Sequence, residues 1–124
     1  MKKVIGLTLF LTIVGCNPSA NSPMGSLIGK TIEYSYGESV YHVTFETDST
    51  MHWEAMEGEE SGAKENETYV AEWIDSQRLF ITWGEANGIG VSQILDFEKG
   101  KVHNHLLRNR NASIGEGRIS IIEK

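Results

Sequence analysis

From residue 27 onward, apolar and polar positions alternate in short runs that turn residues interrupt about every ten positions. Alternation with a period of two puts residues i and i+2 on one face of a strand. The pattern predicts strands over 31–36, 39–45, 51–56, 67–74, 78–83, 89–97, 101–108 and 118–122. Gly37-Glu38, Glu46-Thr47-Asp48-Ser49, Asp75-Ser76-Gln77 and Glu98-Lys99-Gly100 stand between them as turns. These runs are rich in Val, Ile, Thr, Tyr, Phe and Trp, and no long helical period occurs, so the fold class is all-β. Residues 27–30 allow one helical turn before the first strand. Consecutive strands joined by tight turns pair antiparallel, and eight of them close into an up-and-down barrel. A two-sheet sandwich fits the same pattern. A barrel of this size is filled by side chains or holds one small ligand.

The first fifteen residues follow a different rule. Lys2-Lys3 precede an apolar run over 4–14 that is shorter than the roughly 20 residues a spanning helix needs. A basic start and a brief apolar core describe an export signal. Ile13-Val14-Gly15-Cys16 resembles the lipobox of bacterial lipoproteins. The resemblance implies a signal peptide over 1–15 and a cysteine, Cys16, that carries lipid (palmitate) and begins the mature chain. Residues 16–26 then comprise the lipidated cysteine and a flexible tether rich in Ser, Asn, Pro and Gly, and 27–124 the barrel. The expected location is the bacterial cell envelope, anchored by lipid to a membrane. In a Gram-negative cell, Asn17 after the cysteine favours the outer membrane. A plain secretory signal and a buried structural cysteine are the alternatives.

Charge narrows the partners. The whole chain has 11 Lys and Arg against 17 Asp and Glu. Because Lys2 and Lys3 are the charged residues of the signal, its removal takes the formal net charge from −6 to −8. Such a surface disfavours nucleic acid, whose binding neutralises phosphates with Lys and Arg. It also gives no electrostatic grip on anionic lipid, which leaves the acyl chains as the membrane contact. The acids gather over 54–60 and 64–67, where a solvated loop is the expectation; the ligand spacing of a calcium loop is absent. One cysteine permits no internal disulfide.

Alternation also groups the candidate chemistry. Ile32, Tyr34 and Tyr36 share one face, and Leu79, Ile81, Trp83 and Glu85 share another. If both look inward, two phenols and a carboxylate meet in an apolar cup, and burial beside Trp83 raises the affinity of Glu85 for a proton. The simpler alternative makes the tyrosines packing residues and Glu85 a turn residue. His103 and His105 share a face and begin a zinc site only if further ligands join them, with His42 and His52 elsewhere in the chain. The glycines over 84–90 precede a strand rather than a helix, so they form no phosphate cradle, and no cofactor is indicated.

Three stretches carry a resemblance: Gly29-Lys30-Thr31-Ile32-Glu33-Tyr34-Ser35-Tyr36, Tyr41-His42-Val43-Thr44-Phe45, and residues 81–91 with Trp83-x-Glu85-x-x-Gly88. Together with Lys101-Val102-His103 they resemble the MoaF-like domain (molybdenum-cofactor biosynthesis protein F-like) and the related phenolic acid decarboxylases. Both are lipocalin-like barrels of the calycin type. The resemblance implies a ligand site of Tyr34, Tyr36, Trp83 and Glu85, with a small apolar or aromatic molecule inside the barrel. In an enzyme of this kind Tyr34 and Tyr36 orient a phenolic acid and Glu85 handles the proton. Those decarboxylases carry an arginine after a glycine, where this chain has Gly62-Ala63-Lys64. A membrane-anchored binding protein is therefore the leading expectation, with a decarboxylase-like lyase and a noncatalytic envelope interaction module as alternatives.

Overall fold

The structure, a computed structural model, describes residues 24–122; the expected export signal over 1–15, Cys16 and most of the expected tether lie outside the described residues. Eight strands follow one another: β1 (Thr31–Ser35), β2 (Val40–Phe45), β3 (Thr50–Glu57), β4 (Lys64–Trp73), β5 (Arg78–Gly84), β6 (Gly90–Asp96), β7 (Lys101–Arg108) and β8 (Asn111–Ile122). Each pairs antiparallel with its neighbours, and β1 pairs with β8 from Thr31↔Ile122 to Ser35↔Arg118, closing the barrel. Closure gives every strand a neighbour on both sides, which shortens the free edges that template edge-to-edge aggregation.

The two ends of the barrel differ. At one end the inward residues are Ile32, Phe45, Met51, Leu79, Leu95 and Val102, all fully buried. The turn over 24–29 closes this end: Leu27 N and Ile28 N donate to Met24 O at 2.8 and 3.0 Å, and Gly29 N donates to Phe45 O at 2.7 Å. Met24, placed in the tether by composition, is itself fully buried in the core. The packed unit therefore begins before residue 27, because an unbranched thioether chain fills the irregular space under a barrel end. Charge ties the turns together here as well. Arg78 bonds Asp75 and Glu98 at 2.9 Å and reaches Asp96 at 3.3 Å, while the Asp96 carboxylate accepts from Lys99 N and Glu98 N. Those amides and the guanidinium hold Asp96 below the usual carboxylate range.

Two expectations change. The last strand was expected over 118–122, yet β8 runs from Asn111 and pairs with β7 along its length, from Lys101↔Arg118 to Arg108↔Asn111. Only Asn109 and Arg110 join them, with Asn109 at a left-handed φ of 57° that Asn tolerates better than most residues. The acidic runs expected as solvated loops are largely strand: Glu54 and Glu57 lie in β3, and Glu65 and Glu67 in β4. Pairing from Thr50↔Thr68 to Glu54↔Lys64 supplies the backbone bonds that composition alone did not suggest.

Candidate functional site

At the other end of the barrel the inward rows turn polar and aromatic. β1 delivers Tyr34 deep inside and, one step beyond its last residue, Tyr36. Their rings are 6.4 Å apart between centroids. Tyr36 meets Tyr41 of β2 edge-on at 6.1 Å and 78°, and Tyr41 meets Trp53 of β3 at 6.0 Å and 70°. A register shift between Val40 and Tyr41 sets this step, since β2 and β3 carry a bulge there. The four rings make one row from the interior to the rim; the two outer contacts have the edge-to-face arrangement that aromatic quadrupoles favour, and Tyr34 is tilted at 44° to Tyr36.

Carboxylates finish the rim. Trp53 Nε1 donates to Glu67 Oε2 at 3.0 Å, and Trp83 Nε1 donates to Glu85 Oε2 at 3.3 Å. The Tyr41 hydroxyl donates to Glu60 Oε1 in the loop between β3 and β4. Burial pushes the Glu85 carboxyl above its usual range; the Trp83 bond opposes this, and the charges of Glu67, Glu60 and Glu65 reinforce it. Burial likewise raises the phenols of Tyr34, Tyr36 and Tyr41 far above neutrality, so each acts as a neutral O–H group.

Below the row the interior holds a polar floor. Gln93 of β6 faces inward beside the fully buried Leu95 and Ile81 rows, donating through Nε2 to Asn104 Oδ1 at 2.8 Å and to the Tyr36 hydroxyl at 3.4 Å. Among the described residues two buried side-chain atoms have no partner: the Tyr34 hydroxyl and Gln93 Oε1. An unsatisfied buried polar group costs about 1–3 kcal/mol. One of the two can donate and the other can accept.

The structure brings Tyr36, Trp83 and Glu85 to the open end and sets Tyr34 beneath them. Four contributors were not singled out from the sequence: Tyr41, Trp53, Glu67 and Gln93. The alternation held a signal for two of them, since Glu67 shares its row with Tyr69 and Trp73, and Gln93 interrupts Val91 and Leu95. The histidines lie apart. His103 and His105 are exposed on the outer wall, His103 within 3.6 Å of Glu116, while His42 bonds Glu33 and His52 bonds Asn66. Among the described residues no group of three or more His, Cys, Asp or Glu stands together as metal ligands. Lys64 is exposed and pairs across from Glu54, away from the cup. A depression of about 290 Å³ lies beside Tyr36, Gly117, Ser35, Lys101 and Arg118, and one of about 150 Å³ beside Val70, Phe80 and Thr82.

The raised Glu85 predicts a pH signature. A carboxyl that binds its proton more tightly when folded stabilises the fold fully below its ordinary value of 4.5, and this contribution disappears as pH rises through the folded value. Glu85→Gln, which keeps the shape and removes the charge, should therefore melt above the wild type beyond about pH 7 and level with it below about pH 4. Thermal melts across that range decide the matter; a wild type that melts higher at neutral pH would make the Glu85 charge a structural asset.

Sequence and structure comparisons agree with this architecture. The family model described as MoaF-like matches residues 28–119. The crystal structure of a protein from Burkholderia vietnamiensis, provisionally called a beta-lactamase, superposes with a TM-score of 0.71 at 21% identity. The match covers 77% of this chain and 95% of that one, and at such identity it establishes the fold alone. A comparison with curated proteins finds no match.

Proposed function

The chain belongs to the MoaF-like family, and from that premise we propose that its barrel binds a small, mostly apolar or aromatic molecule at the open end while Cys16 anchors it to a membrane. One observation carries the binding half: the buried Tyr34 hydroxyl and Gln93 Oε1, a donor and an acceptor without partners among the described residues, lie at the inner end of a row of aromatic rings. Apolar walls with a few convergent polar groups are the usual form of a small-molecule site. Tyr36 is the movable wall, since its hydroxyl receives only a long bond of 3.4 Å from Gln93. Rotating that ring outward opens the path to the floor.

Hydroxycinnamate decarboxylation fits the cup poorly. Its substrate is an anion, and the charged side chains around Glu85 are carboxylates, with Lys64 on the outer wall. Native mass spectrometry of the protein purified in detergent should find a small molecule held with it, or tryptophan fluorescence should respond to added aromatic compounds; silence in both sinks the binding reading. The anchor has its own test. Cys16→Ser should move the protein from the membrane fraction to the soluble one, and continued pelleting would refute lipidation.

A further inference from the structure

Four acids, Glu60, Glu65, Glu67 and Glu85, gather around the aromatic row, and each of the other three contributes its charge at Glu85. Asp75, Asp96 and Glu98 share Arg78; on the outer wall Glu116 faces Lys101, and Glu33 faces His42. Among the described residues no ion pair engages Glu60, Glu65, Glu67 or Glu85. Three of them instead accept from aromatic side chains: Glu60 from Tyr41, Glu67 from Trp53 and Glu85 from Trp83. Glu67 is only 9% exposed, so its charge is held close to the rings with little water to screen it. The rim thus combines uncompensated negative charge with the π-faces that attract cations.

We propose that the ligand of this cup is an amphipathic organic amine, with its ammonium at the Glu67 and Glu85 carboxylates and a hydroxyl-bearing apolar ring directed toward Tyr34 and Gln93. The inference rests on the reading of the open end as a binding site and adds the ligand's charge and orientation. An ammonium group answers both features of the rim, forming charge-assisted hydrogen bonds to the carboxylates and lying against Tyr41, Trp53 or Trp83. The inner end is fixed by the floor: Tyr34 O–H needs an acceptor and Gln93 Oε1 needs a donor, and one ligand hydroxyl is both. Tyr34 is 2% exposed and Gln93 5%, so bulk water does not reach these atoms, and a ligand hydroxyl would serve both. An anion of the same shape meets four like charges instead.

Three compounds that share a phenol and differ only at the far end test this directly: tyramine (cation), para-ethylphenol (neutral) and para-hydroxyphenylpropanoate (anion). Each is titrated into the purified full-length protein in detergent, with tryptophan fluorescence and calorimetry as readouts. Tyramine should bind at least about tenfold more tightly than para-ethylphenol, with the anion weakest. In Glu85→Gln the ratio of tyramine to para-ethylphenol affinity should shrink several-fold, which a merely structural role for Glu85, weakening both compounds alike, would not produce. Circular dichroism checks that the variant is folded, and Glu60→Gln on the exposed loop takes its place if it is not. Equal binding of tyramine and para-ethylphenol, or preference for the anion, overturns the cation and leaves the binding site standing. No response to any of the three overturns both.

Discussion

Tyr34→Phe is expected to make the protein more stable and its ligand bind less well. The Tyr34 hydroxyl is buried, unpartnered and forced to remain a neutral phenol. Removing it deletes a desolvated donor without changing the ring, so most of the cost of about 1–3 kcal/mol for an unsatisfied group is recovered. For a domain of this size each kcal/mol shifts the melting temperature by about 4–8 °C. The measurement is a thermal melt of wild type and variant without ligand, beside a titration with a phenolic compound. Opposite signs in the two assays would identify Tyr34 as a residue kept for binding at the expense of stability. A lower melting temperature with unchanged affinity would mean that the hydroxyl has a structural partner after all.

Gly117→Ala should be the most damaging small change in the barrel. Gly117 lies opposite Val102 in the β7–β8 ladder, on the inward face, where the Tyr36 ring crosses it. A methyl group there would stand 2.7 Å from Ser35 O and 2.7 Å from the Tyr36 ring. A ring alone can yield by rotation, but the backbone oxygen belongs to the pair Ser35↔Arg118 that closes the barrel. Overpacking of this kind costs about 1–3 kcal/mol, so the melting temperature should fall by roughly 5–15 °C. Tyr36→Ala in the same chain should restore part of the loss but not all, because Ser35 O stays where it is. Additive effects in that double-mutant cycle would show that the glycine does not serve the tyrosine.

Gly117 also explains why β8 was hard to read. Residues 111–117, Asn-Ala-Ser-Ile-Gly-Glu-Gly, have the composition of a loop, and two glycines deprive the strand of side chains to pack. They are nevertheless extended because β7 supplies a full ladder and Tyr36 needs the vacant position. Glu67 shows the same logic with charge. Within Lys64-Glu65-Asn66-Glu67 it looked like one more solvated acid, yet its place in the β4 row turns it inward to the Trp53 indole. Neither fact is local to the sequence around it.

By itself the sequence determined the number of strands, their order and which residues share a face, because a period of two is written residue by residue in Ile32-x-Tyr34-x-Tyr36 and Leu79-x-Ile81-x-Trp83-x-Glu85. It also brought Tyr34, Tyr36, Trp83 and Glu85 into view as a set. The tertiary structure alone decided which end of the barrel they occupy and who joins them there. Pairing β1 with β8 and shifting the register of β2 on β3 carry Tyr41, Trp53 and Glu67 to the same rim, and they leave the Tyr34 hydroxyl and Gln93 Oε1 without partners among the described residues below it. Closure is a sum of registers across eight strands, so no short stretch of sequence contains it.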